Sequence, residues 1–192
     1  MIVAWPGVPA LRVRQYNRAA MGPVTAEIDV DVSREEAFAA ISDLARRPSF
    51  TDHFLDGFHL TRIESSGIGA GARYRIRSRL RSVWTDSTIA ELEPPHKLVE
   101  HGRGGRVNRI PSTTVWEALD GPGGLTRLRV SYWTEPTNPI DRALEVLAGN
   151  ARSTERGWRE ALRRLREQLE SGASTPPALA LAGGNRYATG IP

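Results

Sequence analysis

The pattern that most limits what this chain can become is its last long amphipathic stretch, Asn138 to about Leu169. Apolar residues recur there at Ile140, Leu144, Leu147, Ala151, Trp158, Leu162, Leu165 and Leu169. Spacings of three and four put them on one stripe of an α-helix about nine turns long. Asn138 can cap its start, and Pro139 falls at the first helical position, where a missing N–H costs nothing. The opposite face is charged, with Arg142, Arg152, Arg156, Arg159, Arg163 and Arg166 set among Glu145, Glu155, Glu160 and Glu170. Burying such a stripe contributes at most about 2 kcal/mol per large side chain. A helix this long and one-sided needs a broad apolar surface, and the preceding chain reads as the sheet that supplies it.

Val24 to Val32 alternates apolar and polar residues, the pattern of a strand with one buried face. Ser33 with Glu36 three residues later forms a capping-box signature, opening a helix to about Leu44 with Ala37, Phe38, Ile41 and Leu44 on its apolar face. Pro48 breaks the chain, and a short helix or turn over 49–55 carries Phe50 and Phe54. Six strands at hairpin spacing follow, over 58–65, 73–80, 83–92, 97–103, 112–119 and 125–135. Glycine and proline clusters separate most of them, as at Gly67-Ile-Gly-Ala-Gly71 and Gly121-Pro-Gly-Gly124. Residues 1–22 lack a clean period and read as a loosely ordered extension. Residues 171–192 read as a flexible tail, leaving 23–170 as one domain.

Composition removes several chemistries. The chain has no cysteine, which excludes disulfides, thiol nucleophiles, thiolate zinc sites and iron–sulfur clusters. No apolar run approaches the ~20 residues of a membrane-spanning helix. The arginines near the N-terminus follow its apolar residues, the wrong order for a signal peptide, so a cytoplasmic location is expected. The sequence pI is about 10.1 although the formal net charge is only +4. Arginine, which does not deprotonate, accounts for that gap, and nucleic acid is not indicated as a partner.

The order strand, two short helices, six strands, long helix resembles the START/SRPBCC superfamily, the helix-grip proteins of polyketide cyclase/dehydrase-like and Bet v 1-like type. The residues carrying the likeness are Val24-Thr-Ala-Glu-Ile-Asp-Val-Asp-Val-Ser33, Gly67-Ile-Gly-Ala-Gly-Ala-Arg-Tyr-Arg75, Glu93-Pro-Pro-His-Lys-Leu-Val99, Val115-Trp-Glu-Ala-Leu119 and the closing helix. It spans about Val24 to Leu169. The resemblance implies an α+β fold, a seven-stranded curved antiparallel sheet wrapped around the C-terminal helix. It also implies a cavity between the two for an apolar or aromatic small molecule, with no cofactor.

Four groups of residues are candidates for function. Phe54, Tyr74, Ile76, Trp84, Trp116 and Tyr132, with Leu147 and Ala151 of the helix, are the expected lining of such a cavity; the other reading is a filled core. Arg73, Arg75, Arg77, Arg79 and Arg81 alternate onto one outward strand face, either as an RNA- or protein-binding surface or as a solvated face paired with carboxylates. Asp52, His53, Asp56 and His59 contain metal-ligand types, but their spacing fits a polar turn better, and no metal is expected. Asp86, His101, Arg109 and Glu135 are the candidates for acid–base work, with no nucleophile-and-base pair in view. The expected function is binding of a lipid- or polyketide-like molecule. The alternatives are a polyketide cyclase/aromatase-type enzyme working through Asp86 or His101, and binding through the arginine face. The oligomeric state is not legible.

Overall fold

The computed structural model describes residues 21–77, 82–105, 110–147 and 150–172, with side chains left out at 21 and 144–150. Its elements are β1 (Met21–Val30), α1 (Arg34–Ser42), α2 (Arg47–Thr51), β2 (Leu55–Leu60), β3 (Gly71–Ile76), β4 (Val83–Glu93), β5 (Lys97–Gly104), β6 (Ile110–Asp120), β7 (Thr126–Thr134), α3 (Pro139–Leu147) and α4 (Asn150–Ser171). The seven strands form one antiparallel sheet in the order β1-β7-β6-β5-β4-β3-β2. The helix-grip architecture expected from the sequence is the one observed.

Local chemistry accounts for most boundaries. Val24, Ala26 and Val30 of β1 are buried while Glu27 between them is exposed. Ser33 caps α1, its hydroxyl accepting from the Glu36 N–H at 3.2 Å. Pro48 lies in the first turn of α2, where its missing N–H costs the helix no hydrogen bond. β2 starts three residues earlier than the pattern suggests, at Leu55 rather than Phe58. Its register shifts between Asp56 and His59, around Gly57 with φ +62°, and this irregularity hides the alternation.

The stretch predicted as a single helix over 138–169 is helical over α3 and α4, and residues 148 and 149 between them lie outside the described residues. Asn138 does cap α3, its side-chain carbonyl accepting from Ile140 N–H at 2.8 Å. The stripe is correct for α4, where Trp158, Ala161, Leu162, Leu165 and Leu169 are buried. It is not correct earlier: Ile140 is 67% exposed and its neighbour Asp141 is buried instead. Ala151 is exposed too, because the covered face of α4 begins only at Thr154.

α4 runs along β1 and crosses the concave face of the sheet, with α2 against its flank. Its C-terminal end lies beside the end of β1, where Asp31 N–H donates to Glu170 at 3.2 Å. The core is the space between. From the sheet come Leu98, Trp116, Ala118, Leu128 and Val130; from the helices come Phe38, Ile41, Leu44, Phe50 and the α4 stripe. The outward side of α4 is tied by side-chain pairs, among them Arg163 to Glu160 at 2.6 Å and Arg164 to Asp52 at 2.7 Å.

Candidate functional site

The concave face is not uniform. Toward the end where β1 terminates, large apolar side chains rise from the sheet and meet α4. Toward the opposite end, where β1 begins and β7 hands over to α3, the inward residues are small and mostly hydroxylic. They are Thr85 and Ser87 on β4, Gly102 and Gly104 on β5, Ser112 and Thr114 on β6, and Thr134 on β7, all buried. Cross-strand register puts them side by side: Ser87 opposite Gly102, Gly102 opposite Ser112, and Ser112 opposite Thr134. A β-carbon on Gly102 would stand 2.4 Å from the Ser112 hydroxyl, so this floor is made of backbone and short side chains.

At the boundary between the two halves sits a polar network that sequence reasoning passed over. Glu100 faces inward from β5 and is fully buried, as is Arg47 at the start of α2. An Arg47 Nη donates to Glu100 Oε1 at 2.8 Å, and Trp116 Nε1 donates to the same oxygen at 3.1 Å. Ser87 donates to Oε2 at 3.0 Å. The Arg47 guanidinium also lies over the Trp116 ring, 4.6 Å from its centroid, a contact that is strongest when water is excluded. Tyr74 is buried close enough to the group to feel the charges of Glu100 and Arg47. Burial first, and then the charge of Glu100, raise the Tyr74 phenol above its ordinary value, so it stays protonated. Alternation along β5 places Glu100 inward two residues from Leu98, the one available signal. A lone glutamate in a strand does not announce a partner 53 residues away.

Aromatic rings surround this network. Trp158 of α4 packs edge-on against Phe54 and Trp116, with centroids 5.0 and 5.3 Å away, and lies 6.5 Å from Tyr132. Tyr74 stacks on Phe58 at 5.5 Å with the rings nearly parallel. Two buried donors, Trp158 Nε1 and Arg47 Nε, have no hydrogen-bond partner among the described residues.

Of the expected lining, Phe54, Tyr74, Trp116 and Tyr132 are therefore in the interior, and Ile76 is half-buried at the end of β3. Trp84 requires correction. It pairs with Arg75 across β3 and β4, while Tyr74 pairs with Thr85, so Trp84 lies on the opposite, convex face. There it is 39% exposed, framed by the guanidinium groups of Arg73 and Arg75 and resting on Gly57, where a β-carbon would come within 2.9 Å of the indole. Ala151 is the second correction, being exposed on α4. Leu147 ends α3, and its side chain lies outside the described residues.

The other groups also separate. Asp86 sits on the convex face beside Trp84, 3.6 Å from Arg73, and His101 is exposed on β5. Neither faces the interior, because strand alternation sends both away from it, so neither can act on a molecule held there. Glu135 accepts from Trp133 Nε1 at 2.9 Å, and Arg109 lies outside the described residues. Arg73 pairs with Asp86, and Arg75 and Arg77 with Asp56, the solvated-face arrangement; Arg79 and Arg81 lie outside the described residues. Asp52, His53, Asp56 and His59 diverge to Arg164, the Gly157 carbonyl, Arg75 and the Gly57 carbonyl respectively. No cluster of three or more potential metal ligands occurs among the described residues.

Residues 21–170 match the family model described as polyketide cyclase / dehydrase and lipid transport. The chain belongs to that family. Solved structures agree at the level of the fold. TTHA0849 from Thermus thermophilus is 18% identical, with a TM-score of 0.60 over 79% of this chain and 99% of that one. The major latex-like protein 151 of Panax ginseng is 11% identical, with a TM-score of 0.55 over 77% of this chain and 96% of that one. DynU16, from the dynemicin biosynthetic locus, is 19% identical, with a TM-score of 0.52 over 80% of this chain and 48% of that one. No curated protein matches the chain in sequence.

Proposed function

We propose that the protein binds an apolar or aromatic small molecule between the sheet and its two C-terminal helices, over the floor of small residues around Thr114. The observation that carries this reading is the division of the concave face. One half is filled by apolar side chains interlocking with α4, whereas the other presents glycines and short hydroxyl side chains that do not fill the same depth. Ligand sites are mostly apolar with a few placed polar groups. Phe54, Tyr74, Trp116 and Tyr132 supply the apolar part, and the buried network beside them supplies the polar part. The unpartnered N–H groups of Trp158 and Arg47 fit such a site, since buried donors are rarely left without an acceptor. The family's description as polyketide cyclase, dehydrase and lipid transport supports the same chemical class of ligand.

A cyclase-type enzyme working through Asp86 or His101 is not supported, since both face away from the interior. Binding through the arginine face is likewise weakened by the pairing of Arg73, Arg75 and Arg77 with carboxylates.

The test is titration with an apolar fluorophore whose emission rises on transfer out of water, comparing the native chain with Thr114→Phe. Space above Thr114 predicts that the variant keeps a melting temperature within a few degrees of the native one and loses binding at least tenfold. A packed core predicts the reverse: overpacking that costs about 1–3 kcal/mol of stability, with no probe bound by either form.

A further inference from the structure

The two hydrogen-bonding shortfalls beside the small-residue floor have the same sign. Trp158 Nε1 and Arg47 Nε are buried without a partner among the described residues, and both are donors. An indole N–H or a guanidinium gives a proton and cannot accept one. The other buried tryptophans do not go short. Trp116 Nε1 donates to Glu100 at 3.1 Å, and Trp133 Nε1 donates to Glu135 at 2.9 Å. A buried indole ordinarily finds such an acceptor, and Trp158 is the exception.

Trp158 stands where the filled and the shallow halves of the concave face meet. Its ring packs edge-on against Phe54 and Trp116 and lies near Tyr132. Trp116 follows Thr114 by two residues on the same face of β6, and Tyr132 pairs with Thr114 across β6 and β7. The indole is therefore set beside the floor around Thr114. Its place is fixed from behind as well. A β-carbon on Gly157 would fall 2.7 Å from the Phe54 ring, so α4 already lies as close to that ring as a glycine allows. A buried water typically makes about three hydrogen bonds. Phe54 has no polar atom to offer one, and Trp116 spends its own on Glu100. A molecule that is apolar except for one acceptor answers this donor better.

We propose that Trp158 donates its indole N–H to a carbonyl oxygen of the ligand. The protein then selects an apolar molecule bearing a ketone or similar carbonyl over the hydrocarbon of the same shape. Trp158 is the residue that sets this preference. Arg47, whose guanidinium lies over the Trp116 ring, adds a second donor of the same sign and is held there by Glu100. The inference rests on the ligand-binding reading given above and names the group by which an otherwise apolar body is oriented.

The experiment titrates the isotope-labelled full chain by NMR with 2-acetylnaphthalene and 2-isopropenylnaphthalene, a pair in which a carbonyl oxygen is replaced by a methylene group of similar size. Backbone shifts give the two dissociation constants, and the indole N–H resonances report the contact itself. In the native chain the ketone should move the Trp158 N–H resonance downfield, and the bound alkene should not. Trp158→Phe should lower the preference for the ketone over the alkene roughly tenfold, the loss of one neutral hydrogen bond. The alkene's own constant should change little. Comparing ratios between variants cancels the different water solubility of the probes. A Trp158 resonance unmoved by bound ketone, or an unchanged ratio in Trp158→Phe, would overturn the assignment of Trp158 while leaving the ligand-binding reading standing. The resonance is read on the native chain, so it decides the matter even where the variant does not fold. Failure of both probes to bind the native chain would bring down the ligand-binding reading and this inference together.

Discussion

Glu100 and Arg47 carry the sharpest energetic consequence in the molecule. Two opposite charges taken fully out of water are stable only with good geometry and satisfied hydrogen bonds, and Glu100 has three donors around it. Removing one partner leaves the other charge stranded. Glu100→Gln should therefore cost about 3–5 kcal/mol in chemical denaturation, whereas replacing both residues by apolar ones of similar volume should recover most of it. A loss under about 1 kcal/mol in the single variant would mean the pair is hydrated rather than buried. At this scale the sequence was least informative. Trp116, Tyr74 and Tyr132 stand out as aromatics on alternating strands and, with Phe54 in the turn before β2, do face inward. Trp84 stands out equally and does not, because one step of pleat reverses the face and only the β3–β4 pairing reveals which. Arg47 is read naturally as a surface residue beside Pro48, and its burial depends on a strand partner far along the chain.

Elements were more legible than residues. Strand and helix identities follow from alternation, the Ser33 cap and the glycine turns. The errors fall at the register shift around Gly57 in β2 and at the start of α3, where Ile140 is exposed and Asp141 buried. One contact between elements has a pH signature. His53, just after α2, donates from Nε2 to the Gly157 carbonyl of α4 at 3.0 Å, while its Nδ1 is buried without a partner among the described residues. The close approach depends on Gly157, where a β-carbon would fall 2.7 Å from the Phe54 ring. Protonation would place a second N–H on the buried Nδ1. Accordingly burial, acting before any neighbouring charge, lowers the His53 value below the ordinary 6.5. A value lower in the folded than in the unfolded chain means the unfolded chain takes up the proton first. The α2–α4 contact is thus at full strength above pH 6.5 and weakens as the pH falls through the interval below it. Melting temperatures measured from about pH 7.5 to 5 should fall more steeply for the native chain than for His53→Gln. Parallel curves would show that His53 titrates alike in both states.

For the whole molecule, the order of elements and the long one-sided helix are sufficient to specify a sheet gripping a helix, because such a helix has few other surfaces on which to lie. What they do not specify is whether the grip is filled. That depends on the depth of side chains across β4 to β7, where Thr85, Ser87, Gly102, Ser112, Thr114 and Thr134 lie together through a register that no local pattern displays. Whether this half of the interior holds a small molecule is decided by native mass spectrometry of freshly purified protein, followed by solvent extraction of anything it carries. The expected result is a discrete added mass that disappears on denaturation and is absent from Thr114→Phe prepared in parallel. The extracted compound should be apolar or aromatic. A bare mass that stays bare after incubation with apolar probes at concentrations up to about a millimolar, where binding would still be worth some 4 kcal/mol, would contradict it.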